Sequence, residues 1–184
     1  MFNEREVVSR ILQEDLGAFE LLVRQYEQLV LHVTSRLVDR QADKEDICQE
    51  VFIKVYQSLR HFRFESKLST WIARIAYLTA VNHVKKFKGN RQIDFRTDPV
   101  QFQFSDDDPE RGLERKDMAV YLNRLIAQMP LPYRTVLTLY HLDEFSCKEI
   151  GDITGTPENT IKSHLFRARK LLKEKIENDN EKTP

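Results

Sequence analysis

Apolar residues recur along this chain at the spacing of helices that each bury one face. Between residues 4 and 38 they fall at Val7, Val8, Ile11 and Leu12, then at Phe19, Leu22, Val23, Tyr26, Leu29, Val30, Val33 and Leu37, with a break near Asp15 to Gly17. The spacing predicts a short helix followed by a long amphipathic one. A further helix is predicted from Ala42 to Phe62, with Asp43 as N-cap and Ile47, Val51, Val55 and Leu59 as an i, i+4 stripe. Arg63 to Ser69 keeps no consistent period and reads as a loop between two strong helices. Ser69 then caps a helix to about Phe87, whose inward face is Ile72, Ile75, Ala76, Thr79 and His83.

The periodicity collapses from Gly89 to about Gly112, where Pro99, Pro109 and the run Asp106-Asp107-Asp108 mark a linker. Phe95, Val100, Phe102 and Phe104 give it apolar points that a simple tether lacks. Helical spacing returns at Leu113 to Met129, with Met118, Leu122, Leu125, Ile126 and Met129 inward, and Pro130-Leu131-Pro132 ends it. Tyr133 to His141 makes another helix. Ser146 to Leu172 then reads as two helices joined by a tight turn. Gly155 supplies the positive φ, Thr156 an N-cap oxygen, and Pro157 the first helical position, where its missing N–H is harmless. Ile161, Leu165, Ala168 and Leu172 pack the second helix on the first. The predicted fold is therefore all-α. It has a helical domain over 1–90, a flexible acidic linker over 91–112, a four-helix domain over 113–178 ending in a helix-turn-helix, and a frayed polar tail over 179–184.

Charge alters the picture once it is divided along the chain. The net charge is zero, yet Lys plus Arg outnumber Asp plus Glu by 15 to 12 over residues 1–93 and by 12 to 10 over 115–184, against 2 to 7 over 94–114. Two basic domains flank an acidic connector. Cys48 and Cys147 lie far apart within helical patterns, as small buried hydrophobes in a reduced state. No apolar run approaches a membrane span, and the start MFNEREVV lacks a signal-peptide profile, so a cytoplasmic chain without membrane insertion is expected.

Three stretches carry candidate chemistry. On 100° per residue, the outer face of the last helix presents Asn159, Lys162, Ser163, Phe166, Arg167 and Lys170. Five Lys or Arg and no Asp or Glu stand between Lys162 and Lys173. An acid-free face holding a large aromatic suits nucleic acid; a solvated basic helix end is the other reading. The predicted helix over 69–87 shows Arg74, Tyr77, Lys85 and Lys88 outward with Trp71 at the flank, and cations interleaved with rings suit unpaired bases. Trp71 reads equally as core. The helix over 42–62 presents Asp46, Gln49, Glu50 and Ile53 on one stripe, either a docking surface or an ordinary wet face with a stray aliphatic residue.

Enzyme constellations are absent. Five glycines leave no phosphate loop, and His32, His61, His83, His141 and His164 have no zinc spacing with either cysteine. No serine sits in a nucleophile elbow. A non-enzymatic protein without catalytic residues, metal or cofactor is expected.

Taken in order, DKEDICQEVFIKVYQSL, then RFESKLSTWIARIAYLTAVNHVKK, the acidic linker, and LPYRTVLTLYHLDEFSCKEIGDITGTPENTIKSHLFRARKLL strongly resemble the extracytoplasmic-function sigma factors. These form the compact two-domain branch of the bacterial sigma-70 family, and the resemblance covers about residues 15–176. It implies a factor that binds core RNA polymerase, directs it to promoter DNA and assists melting. Asp46, Gln49 and Glu50, with Ile53 on the same stripe, correspond to the grip on the polymerase clamp helices. Phe64, Ser66, Lys67, Ser69, Trp71 and Arg74 correspond to the segment that captures a flipped minus-ten base, with Lys85, Lys86 and Lys88 on nearby phosphates. Asn159, Thr160, Lys162, Ser163, Phe166, Arg167 and Lys170 correspond to the reader of the minus-thirty-five element. The linker resembles the piece that threads toward the RNA exit path. An anti-sigma factor is the expected further partner. A free-standing regulator binding a palindrome, or a protein-interaction decoy, are the rival readings.

Overall fold

The computed structural model describes residues 3–35, 37–38, 40–88 and 116–181, and among these the regular structure is entirely helical. The helices are α1 (Glu4–Leu12), α2 (Leu16–Ser35), α3 (Gln41–Ser58), α4 (Leu68–Lys88), α5 (Lys116–Ala127), α6 (Leu131–His141), α7 (Cys147–Thr154) and α8 (Glu158–Glu181). The predicted linker over 91–112 lies outside the described residues.

Local chemistry sets the helix ends. Asn3 caps α1 by accepting the Glu6 N–H at 3.3 Å, with Glu4 and Glu6 at the positive end of the helix. Glu14 at φ 65° turns the chain out of α1, and Asp15 accepts the Ala18 N–H at 3.1 Å while pairing with Arg10 at 2.9 Å. Those bonds hold the Asp15 carboxyl below its usual range. α2, α3 and α4 then pack on one another, with α1 against α2. Their core of Leu22, Val30, Ile47, Val51, Leu59, Leu68 and Ile72 is fully buried.

The second group builds its core from Met129, Leu139, Ile150, Ile153 and Ile161. α7 opens on a capping box, in which Ser146 Oγ accepts the Glu149 N–H at 3.2 Å and Glu149 Oε2 accepts the Ser146 N–H at 2.8 Å. It closes on Gly155 at φ 71°, the left-handed residue that starts the turn. The two groups also meet, since α7 packs along α4 and α6 touches α2.

Several sequence expectations shift. α3 begins at Gln41 with Arg40 in the cap position and no side-chain cap bond. Asp43 lies inside the first turn, 3.9 Å from Arg40 and 3.8 Å from His83, where its charge still meets the helix dipole. α3 ends at Ser58 and tightens into a 3-10 turn over Leu59–His61. α4 begins one residue before Ser69, because the Lys67 carbonyl accepts the Trp71 N–H at 3.1 Å. α8 begins at Glu158, one residue after Pro157, whose carbonyl accepts the Ile161 N–H at 3.1 Å. The tail expected to fray from 179 onward is helical to Glu181, helped by Arg124 of α5 at 3.4 Å from Asp179. Met118, expected inward, is 58% exposed, because full burial on α5 is reached only two turns later, at Leu125. Both cysteines are free thiols and only half-buried.

The turn of the helix-turn-helix depends on a close approach. A Cβ on Gly151 would stand 2.7 Å from the Thr156 carbonyl oxygen, a backbone atom that cannot swing aside. Gly151→Ala is expected to destabilise the chain by about 1–3 kcal/mol through overpacking, measured as a lowered C-terminal melting transition by circular dichroism. An unchanged melting curve would show that the turn tolerates the displacement.

Candidate nucleic-acid interface

The α8 surface follows from its packing. Ile161, Leu165 and Ala168 are buried against the neighbouring helices, which turns Asn159, Lys162, Ser163, Phe166, Arg167 and Lys170 outward into solvent. Thr160 is half-buried at the edge. Phe166 is 71% exposed, an unusual position for a phenylalanine. Lys162 pairs with Glu158 at 2.7 Å, and that hydrogen bond raises its pKa. Lys170 stands 3.9 Å from Glu174. Arg169 leaves this surface: it lies over the Tyr140 ring at 5.2 Å and meets His141 Nε2 at 3.3 Å. Burial and the Arg169 charge lower the His141 pKa. The Lys and Arg residues of this stretch thus divide between the outward face and a clamp onto α6 made by Arg169.

The loop before α4 builds an aromatic shelf. Phe62 meets Trp71 at 5.0 Å and Phe64 at 4.7 Å between ring centroids, and Arg5 of α1 lies over the Phe64 ring at 4.6 Å. Phe64 adopts φ 57°, a conformation bulky residues avoid, and these contacts hold it there. A pocket of about 360 Å³ opens beside it, lined by His61, Phe62, Arg63, Glu65, Ser66 and Trp71. Trp71 is half-buried, part shelf and part core. Lys85 and Lys86 are exposed near the end of α4; the side chain of Lys88 lies outside the described residues.

Tyr77 does not belong to this surface. It is 4% exposed, and burial pushes its hydroxyl above the usual tyrosine range. Thr70, Tyr77 and Val81 share one side of α4 with Arg74, and all but Arg74 are buried there, at the side on which α7 lies. Arg74 donates to the Asp152 carbonyl, Lys67 pairs with Glu149 at 2.9 Å, and Thr70 donates to the same carboxylate at 3.4 Å. The predicted minus-ten residues therefore split into the aromatic shelf, open to solvent, and a cationic edge held by α7.

On α3, Asp46, Gln49, Glu50 and Ile53 lie together and exposed, Ile53 at 57%. Glu50 pairs with Lys54 at 2.6 Å. Tyr56 extends the stripe and packs edge-on against Phe19 of α2 at 5.0 Å. Sequence reasoning missed Phe62, Arg5, Tyr56 and Glu149. The Ser-x-x-Glu spacing at Ser146 was an available signal for the last; Arg5 reaches Phe64 only through the fold.

Two family models match the chain, "Sigma-70 region 2" over residues 22–90 and "Sigma-70, region 4" over residues 119–172. The RNA polymerase sigma-H factor of Pseudomonas aeruginosa is 33% identical, over 92% of this chain and 92% of its own length. The ECF RNA polymerase sigma-E factors of Haemophilus influenzae and Escherichia coli K12 are 34% and 32% identical, over 95% of this chain and 96% and 95% of theirs. The chain belongs to the sigma-70 family, in its extracytoplasmic-function branch. As a sigma factor it is a non-enzymatic transcription initiation factor that acts with RNA polymerase at specific promoters. The fold recurs in CnrH solved with the cytosolic domain of CnrY, with TM-score 0.67, 17% identity and coverage of 96% of this chain and 98% of that one. It recurs in the sigma factor RpoE of Bartonella quintana solved with the anti-sigma factor NepR, with TM-score 0.61, 19% identity and coverage of 86% and 96%. Among the described residues no helix of this sigma factor is long and apolar enough to cross a membrane.

Glu149 makes the sigma factor's stability depend on acid. Burial pushes its pKa up, but the Ser146 N–H, Lys67 and the Ser146 hydroxyl outweigh that and hold it down to about 2. A carboxyl lowered on folding stabilises the fold above its unfolded pKa of about 4.3, and that contribution disappears as pH falls toward about 2. Glu149→Gln is expected to flatten this part of the melting-temperature profile between those values. A wild-type and a variant profile of the same slope would contradict the assignment.

Proposed function

We propose that this sigma factor divides its work between a first domain over 1–90 and a second over 113–178, joined by the linker over 91–112. The first domain docks core polymerase through Asp46, Gln49, Glu50 and Ile53, a stripe that joins hydrogen-bonding side chains to an exposed aliphatic one. Such a mixed surface suits a protein partner more than solvent. The aromatic shelf of Phe64 and Trp71, with Ser66 and Ser69 at its rim, captures an unpaired minus-ten base. Lys67, Arg74, Lys85, Lys86 and Lys88 attract the surrounding phosphates. Base–ring stacking contributes about 1–3 kcal/mol per base, enough to offset the few kcal/mol of unpairing, so recognition and promoter melting become one event.

The α8 face enters the major groove of the minus-thirty-five element. Arg167 is the base-edge reader, Phe166 meets an apolar base edge such as a thymine methyl, and Lys162, Ser163, Asn159 and Thr160 surround them. Lys170 meets phosphate. The observation that carries this reading is Phe166, exposed at the centre of a cationic face that its own domain leaves uncovered. An anti-sigma factor is a further proposed partner, supported by the recurrence of this fold in a sigma factor solved with one. Its polymerase and DNA partners make the cytoplasm the proposed location.

In vitro transcription with sigma-free core polymerase tests the function. Initiation is expected only when the chain is added; no initiation, or tight binding to a palindromic duplex without polymerase, would refute the proposal. Within the α8 face, Arg167→Ala is expected to lose about 1–3 kcal/mol and relax preference at one or two base pairs. Lys170→Ala is expected to weaken all sequences alike and reduce the salt slope by about 1. Promoter competition measures both, and an unaltered preference in Arg167→Ala would remove its role as a base reader.

A further inference from the structure

The loop before α4 is braced by a residue that lies outside it. Phe64 sits at φ 57°, in the left-handed region that bulky side chains avoid, and the chain bends there over 64–66. The bend lets residues on both sides of Phe64 wall one pocket: Arg63 before it, Glu65 and Ser66 after it, with Phe62 and Trp71 on the aromatic side. The Phe64 ring lies 4.7 Å from the Phe62 ring, and the Arg5 guanidinium of α1 covers it at 4.6 Å.

α1 gives this brace a fixed base. Val7, Val8 and Ile11 are buried, and the Tyr26 hydroxyl of α2 donates to Glu4 at 2.6 Å. The same helix touches the 3-10 turn over Leu59–His61 that leads into the loop. Arg5 itself is exposed, so removing its guanidinium leaves those anchoring contacts in place. What it does lose is the contact with the Phe64 ring.

The pocket has the chemistry to tell bases apart. Arg63 supplies donors, Glu65 an acceptor and Ser66 either, and a volume of about 360 Å³ is at the small end of ligand-sized cavities. A donor and an acceptor discriminate between base edges only while their separation is fixed. Both hang on the backbone at Phe64. A Phe64 that relaxed to negative φ would redirect the chain on one side of itself and displace one wall from the other.

We propose that Arg5 is a positioning residue for base selection: its cation–π contact holds Phe64 in the left-handed conformation, and that conformation fixes Arg63 and Glu65 as walls of the base pocket. The inference rests on the assignment of this loop to an unpaired minus-ten base. It gives α1, which carries none of the residues assigned to DNA or polymerase, a part in reading sequence.

Three substitutions test it. Arg5→Met keeps the apolar stem and removes the charge, Arg5→Lys restores a cation, and Phe64→Gly removes the ring at a residue that then adopts positive φ without a brace. Circular dichroism verifies that each full-length variant is folded. Acrylamide quenching of Trp71, the one tryptophan of the sequence, reports the shape of the pocket in the free chain. Selection from short single-stranded DNA of random sequence, by each chain bound to core polymerase, reports base preference as a ratio from which a uniform electrostatic loss cancels. Arg5→Met is expected to quench more strongly and to lose roughly two- to fivefold in preference at one position, the range of an exposed cation–π pair. Arg5→Lys is expected to recover most of that preference. Adding Arg5→Met to Phe64→Gly is expected to change neither readout further. Unchanged quenching in Arg5→Met overturns the brace, and altered quenching with intact preference overturns its role in base selection. A loss of preference that persists in the Phe64→Gly background shows Arg5 acting by another route and overturns the role of Phe64. If the wild-type chain selects no base, it is the minus-ten assignment that fails, whatever the quenching shows.

Discussion

One carboxylate ties local and global structure together. Glu149 accepts the N–H and hydroxyl of Ser146, which fixes the start of α7, and the same group reaches across to Lys67 and Thr70 of the other helix group. Orphan N–H groups at a helix start demand an acceptor, and the capping box supplies one with a full negative charge. Its orientation is therefore held locally, by a residue only three positions away. An ion pair with a pre-oriented partner loses less side-chain freedom than one between two mobile chains.

The remaining architecture distributes work among the sides of each helix. α4 gives Ile72, Ala76 and Thr79 to its own core, the buried Thr70 and Tyr77 to the side where α7 lies, and Trp71 to an aromatic shelf on its flank. α8 gives Ile161, Leu165 and Ala168 to its core and keeps Phe166 in solvent. An amphipathic helix with one buried stripe has a single polar face; on α4 part of that face is itself covered, by α7.

The shelf around Phe64 shows how a short loop acquires a defined shape. Its φ of 57° is disfavoured for a bulky residue, and the ring persists there between Phe62 and the Arg5 guanidinium. Strain held by surrounding contacts is a form of preorganisation. The short connection between the 3-10 turn and α4 thereby presents the Phe64 ring in a defined orientation.

The amino-acid sequence by itself determined the helices, the stripe of Ile47, Val51, Val55 and Leu59, the turn at Gly155 and the outward face of α8. These depend on periodicities and dihedral preferences confined to neighbouring residues, and the structure moved their boundaries by only a few positions. It also determined the family, through motifs whose order persists along the chain. Tertiary structure alone decided the fate of Tyr77, which local spacing placed outward and which is buried. It likewise decided that Arg5 supports Phe64, that Arg169 clamps α6, and that Glu149 meets Lys67. Each of these rests on an encounter between segments far apart in sequence. Helical periodicity states which side of a helix a residue occupies, but the neighbour that arrives on that side is set by how the whole chain packs.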